Sequence, residues 1–278
     1  MGDSSLSDVW KRFRASTTPG DTQNLLQGQG TPWSEWRNSA RISSLSPIEP
    51  KQIATEQQRV VVIAPHPGFE TVACGGLLQR FSKLGCTLSL ISLTDGSRSH
   101  EGSSVWTPER LSAIRPQESA ESLRRMGLPA SRLKWIRGGF PDGRLHEDPD
   151  RLREFLQRYL QPDDVVFTSW RQDGHPDHET TGSIAGAIAD EIGAPLYEVP
   201  MWIWHCAAPN DPRIPWYRLR KLPLSRWTVA RKRHAIQAHA SQLAMDAQTG
   251  TEPAFGLYTQ QRTLQPYEII LTPAVTLA

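Results

Sequence analysis

Residues 59–76 read Arg59-Val60-Val61-Val62-Ile63-Ala64-Pro65-His66-Pro67-Gly68-Phe69-Glu70-Thr71-Val72-Ala73-Cys74-Gly75-Gly76. The run Val60–Ala64 is continuously apolar and mostly β-branched, as expected of a parallel strand covered on both faces. His66-Pro67 follows where that strand must end, and Gly75-Gly76 permits close packing of the next helix. In open α/β sheets, ligands sit beyond the carboxyl ends of the strands, so the sequence places His66 where a site belongs.

The same alternation continues along the chain. A helix is expected near 71–84, then a strand over 87–93 that ends at Thr94-Asp95-Gly96. Thr107-Pro108-Glu109 supplies the cap and first turn of a helix over 108–127. A short strand (133–136) leads to the turn Phe140-Pro141-Asp142-Gly143. A helix (150–160), a strand (164–168), a small-residue helix ending near 189 and a last strand (195–199) complete the regular part. Strands alternating with helices argue for an α/β fold, a Rossmann-like parallel sheet with helices on both faces. Before it, residues 1–58 are polar, with a short helix expected at 7–14, and Trp33 and Trp36 suggest that this arm packs on the body. Residues 59–200 form the core, and residues 201–278, with a helix near 227–245, are expected to cap the sheet end within the same domain.

Bulk properties exclude several classes. A chain of 278 residues with 38% hydrophobic content can bury a sizeable core. The net charge of +2 gives no electrostatic case for binding nucleic acid or an anionic membrane. No apolar run approaches the roughly 20 residues of a spanning helix. The N-terminus lacks a basic segment followed by an apolar one. Cys74, Cys86 and Cys206 have no Cys-x-x-Cys spacing and read as reduced thiols, so a cytoplasmic location is expected. No Gly-x-Gly-x-x-Gly follows the first strand, which removes the dinucleotide-binding reading.

A second histidine loop, Gly174-His175-Pro176-Asp177-His178, also follows a strand end. Either histidine loop alone reads best as structural. Two of them at corresponding places in one α/β unit point to a shared site. Together the loops resemble the two signatures of the PIG-L/LmbE-like N-deacetylases, written His-Pro-Asp-Asp-Glu followed by Gly-Gly, and His-Pro-Asp-His. That resemblance spans roughly residues 60–245. Arg115 and Glu118, with Leu123 and Met126-Gly127 after them, fit the family's Arg-x-x-Glu helix. Trp202-Ile203-Trp204-His205 and Ala238-His239-Ala240-Ser241-Gln242 look like a bacterial branch.

The resemblance implies a zinc-dependent hydrolase acting on N-acetyl amino sugars such as N-acetylglucosamine glycoconjugates. His66 and His178 match two zinc ligands. His175 matches the group that stabilises the oxyanion, and Asp177 the carboxylate that orients it. Arg115 and Asp142 match substrate-binding residues. Their plainer readings are an ion pair of Arg115 with Glu118 and an ordinary turn residue.

The chain departs from the pattern at two positions. Gly68 stands where the family has its acidic base, and Phe69 where it has the third zinc ligand. A hydrolytic zinc site uses about three protein ligands and an open position for water, and needs a base to deprotonate that water. Weak or absent activity in a pseudoenzyme is therefore expected. The alternative is an active deacetylase with a rearranged metal site, for which Asp95 and Asp173 are the nearest substitute acids. Glu70 is expected to begin the helix and favour its dipole instead.

Overall fold

The computed structural model describes residues 28–128 and 133–273; the helix expected at 7–14 lies outside them. Strands β1 (Arg59–Ala64), β2 (Thr87–Thr94), β3 (Leu133–Phe140), β4 (Val165–Ser169), β5 (Leu196–Val199), β6 (Leu219–Pro223) and β7 (Tyr267–Leu271) form one sheet. Its order is β3-β2-β1-β4-β5-β7-β6. The first five strands are parallel, whereas β7 runs antiparallel to both β5 and β6. The fold is α/β, as the alternation implied.

The run of β-branched residues in β1 serves both faces. Val60, Val62 and Ala64 join one core cluster and Val61 and Ile63 the other, which is the two-residue period of a strand. The first cluster includes α3 residues (α3, Gly75–Leu84; Leu77, Leu78 and Phe81) and α8 residues (α8, Arg226–Ile236; Ala235 and Ile236). The second includes residues of α5 (Pro149–Gln157) and α6 (Pro176–Ile192). The first cluster also takes in Phe69 and Val72 of α2 (Phe69–Val72), directly after the first histidine loop, and Leu123 of α4 (Pro108–Arg125). The helix expected over 71–84 is thus two helices, broken at Ala73-Cys74.

The C-terminal region does more than cap. The strand expected at 195–199, observed as β5, was expected to close the regular part, yet β6 and β7 extend the sheet beyond it. Their alternation was masked by the charges of Arg220, Lys221 and Glu268. Glu268 is buried because its carboxylate accepts from the backbone amides of Gly76 (2.7 Å) and Leu77 (2.6 Å) and pairs with Lys232 at 2.6 Å. The carboxylate therefore sits on the N-terminal turn of α3, where backbone donors lack helical partners. A Cβ on Gly76 would meet Leu224 and Glu268 closer than 3.0 Å, which explains the glycine.

Residues 28–58 pack through α1 (Trp33–Asn38). Trp36 is fully buried, donates from Nε1 to the carbonyl of Trp204 (2.8 Å), and meets the Trp204 ring edge-on at 5.0 Å. Trp204 belongs to α7 (Ile203–Cys206). Replacing Trp36 by alanine should cost about 3–5 kcal/mol of stability. Denaturant titration checks this; a loss under about 1 kcal/mol would show that the segment contributes little to the body.

Candidate functional site

The site forms because β1 and β4 are neighbours in register, Ile63 beside Thr168. Each strand then ends in a histidine loop on the same rim. The rings of His66, His175 and His178 have centroids 4.8–5.6 Å apart. One nitrogen from each lies within 4.8 Å of the others, and the same holds for ligand atoms of His66, Asp142 and Asp177.

The hydrogen bonds assign the ring nitrogens different tasks. His178 engages Asp173 Oδ2 through Nδ1 at 2.8 Å, and His66 engages Asp142 Oδ1 through Nδ1 at 2.9 Å. A carboxylate on Nδ1 fixes the proton there and leaves Nε2 as the basic nitrogen, the usual support for a metal-binding imidazole. In His175, Nδ1 instead accepts from the Asp177 amide at 3.2 Å. Its proton must then sit on Nε2, making that atom a donor. His66 Nε2 is buried, has no hydrogen-bond partner, and lies 3.6 Å from Asp177 Oδ2. In their neutral forms His66 and His178 thus carry a basic Nε2, and His175 an Nε2–H donor.

Electrostatics follow the same division. Burial holds His178 and His175 well below the usual imidazole range, and neighbouring His66 adds to the effect. Burial would also lower His66, but the hydrogen bond and charge of Asp142, with Asp177 behind it, outweigh burial and raise its pKa. Burial alone would raise Asp142, yet the His66 contact, the Arg98 amide and Arg115 hold it well below the usual carboxylate range. Asp177 is raised by burial, while accepting from the amides of Gly143 (2.8 Å) and Leu145 (3.1 Å).

Aromatic rings occupy the space at position 69 and beside Gly68. Phe69 is only 2% exposed and stands edge-on to His178, with ring centroids 5.4 Å apart. Gly68 adopts φ +97°, a left-handed conformation that favours glycine. A Cβ there would run into Cζ and Cε2 of Phe255 closer than 3.0 Å. Phe255 was not singled out from the sequence. It lies 187 positions beyond Gly68, and an isolated phenylalanine in a Gly/Pro-rich segment carries no motif.

The substitute acids lie elsewhere. Asp173 uses Oδ2 on His178 and Oδ1 on the amides of Met201 (2.8 Å) and Ile203 (3.1 Å), and burial pushes its pKa up to about 7. It holds a histidine in place. Asp95 pairs with Arg137 at 2.8 Å. Neither joins a cluster of ligand atoms among the described residues.

Glu70 lies in the first turn of α2, as expected. It is fully buried, accepts from the Gly68 amide at 2.9 Å, and burial raises its pKa. Arg115 is also buried and does not pair with Glu118. Its guanidinium donates to the Gly96 carbonyl, to Ser99 Oγ at 2.7 Å and to Ser241 Oγ at 3.2 Å. Glu118 instead accepts from the amide and hydroxyl of Ser241 (2.8 and 2.7 Å). Asp142 is more than a turn residue, since it links His66 to the Arg98 amide at 2.8 Å.

With this geometry in hand, residues 61–189 match the family described as PIG-L: GlcNAc-PI de-N-acetylase. The chain contains a PIG-L family domain. N,N'-diacetylchitobiose deacetylase from Pyrococcus horikoshii is similar in structure (TM-score 0.51, 21% identity, 66% of this chain and 70% of that one). So is teicoplanin deacetylase in its zinc-inhibited form (0.53, 14%, 78% and 99%). A 4-carboxy-2-hydroxymuconate hydratase from Pseudomonas putida KT2440 is similar to the same degree (0.52, 14%, 80% and 97%). At these identities the likeness shows the fold alone. No curated protein matches the chain significantly in sequence.

Phe69→Asp should destabilise the PIG-L domain by about 3–5 kcal/mol, because it removes a buried ring and leaves a carboxylate beside His178. Added zinc should return part of that loss by mass action. Thermal melts with zinc or chelator check both signs. A Phe69→Asp variant that melts in chelator at the same temperature as the unmutated chain would mean that Phe69 does not fill the site.

Proposed function

We propose that this chain is a PIG-L-fold protein whose amide-hydrolysing activity on N-acetyl amino sugars is weak or absent. The observation that carries the reading is the Phe69 ring, buried edge-on against His178 where the third zinc ligand would stand. At the positions that the family resemblance gives to zinc ligands, only His66 and His178 remain, and no acid occupies the positions of Gly68 and Phe69. A site held by these two imidazoles alone binds zinc weakly. A base able to deprotonate a bound water is also lacking at Gly68.

What remains is the part of the site that handles a polar ligand. His175 offers an Nε2–H donor, held by the Asp177 amide, and Asp177 is anchored by two backbone amides. We propose that these groups recognise an N-acetylated amino sugar or glycoconjugate without efficient cleavage, in a protein that neither spans a membrane nor binds nucleic acid. No helix among the described residues is long and apolar enough to cross a membrane. The deacetylases named above, acting on a chitobiose and on teicoplanin, support this substrate class by analogy of fold.

One observation favours the second reading, an active enzyme with a rearranged metal site. The ligand atoms of His66, Asp142 and Asp177 also converge within 4.8 Å, an N/O set chemically suited to zinc.

Calorimetric titration with zinc near neutral pH separates the two. The first reading expects a dissociation constant no tighter than micromolar, little change in melting temperature with chelator, and no release of acetate from N-acetylglucosamine conjugates. Nanomolar binding that is lost in Asp142→Asn, together with acetate release, would establish the second.

A further inference from the structure

Four contacts run from residues 239–255 to the first histidine loop, to α2 and to Arg115. His239 Nε2 meets Thr71 Oγ1 at 3.2 Å. Gln242 Nε2 donates to the Pro67 carbonyl at 3.1 Å. Ser241 Oγ accepts from Arg115 at 3.2 Å. Phe255, buried to 3% exposure, occupies the space into which any side chain at position 68 would project. Phe255 is itself fixed: its amide donates to the Gln242 carbonyl at 2.9 Å, and its ring meets His239 edge-on at 5.4 Å.

We infer that Phe255 is the residue that closes the acid side of the site, a ring from the C-terminal region that excludes any side chain from position 68 and holds the loop in the conformation only glycine adopts readily. The inference rests on the proposed reading of Gly68 as the vacated base position, and extends it. Loss of the acid is then not confined to two positions in one loop, because a third residue far away in sequence fills the resulting space. Restoring Gly68 and Phe69 to acids in the presence of Phe255 sets a carboxylate against a buried ring. The new acid has neither room nor a favourable backbone, since side chains at φ near +97° are strained.

The test is a double-mutant comparison. Gly68→Ala should lower the melting temperature of the native chain by roughly 5 °C. In a Phe255→Ala background, the same change should lower it by less than half as much. Backbone strain is common to both pairs, so the difference reports the ring. An equal loss in the two backgrounds would overturn the inference. Zinc titration gives a second arm. Adding Phe255→Ala to the double change Gly68→Asp, Phe69→Asp should tighten zinc binding at least tenfold, and equal affinity with and without it would also overturn the inference. If the double change does not fold, the alanine comparison still decides. Acetate release by the unmodified chain bears on the proposed function and enters neither arm, so the two can fail separately.

Discussion

The parallel pairing of β1 with β4 is the constraint on which the site depends. It sets Ile63 beside Thr168, so the loops that follow these strands emerge on the same rim and bring His66, His175 and His178 together. Both strands are buried on two faces by separate core clusters. A one-residue slip would move each apolar set to the wrong cluster, which fixes the register and with it the histidine geometry. β6, β7 and α8 then brace α3 through Glu268 and Lys232, two charged side chains held in the interior by each other and by backbone amides.

Within that frame the site divides into two halves of opposite character. One half is polar and fully braced. Asp142 and Asp173 hold the Nδ1 atoms of His66 and His178, and backbone amides hold Asp142, Asp173 and Asp177. The other half is aromatic, with Phe69 edge-on to His178 and Phe255 against Gly68. Apposed carboxylates without a metal repel one another and raise each other's pKa. Neutral rings bring no such repulsion, and His66 finds counter-charge in Asp142 and Asp177.

The family match covers 61–189, which includes both histidine loops but ends before Gln242 and Phe255. Structures of the same fold include deacetylases and a hydratase. The fold thus supports more than one chemistry, and the individual side chains on the rim must carry the argument for function.

The sequence by itself determined the α/β alternation, the order of the first five strands and helices, and the identity of the two histidine loops. These are local signals: continuous β-branched runs, helix caps and His-Pro pairs at strand ends. It also showed that Gly68 and Phe69 cannot act as acid or ligand, because that follows from side-chain chemistry alone. Tertiary structure decided the rest. The role of Asp173 as the brace of His178, the engagement of Arg115 with Gly96, Ser99 and Ser241, and the burial of Glu70 all depend on which way side chains turn. Spacing along the chain does not report this. β6 and β7 went unread because Glu268, charged in sequence, is paired with Lys232 and with the Gly76 and Leu77 amides, all far away along the chain. Phe255 reaches Gly68 only because residues 239–255 fold back across the first histidine loop, a contact between segments with no shared local pattern.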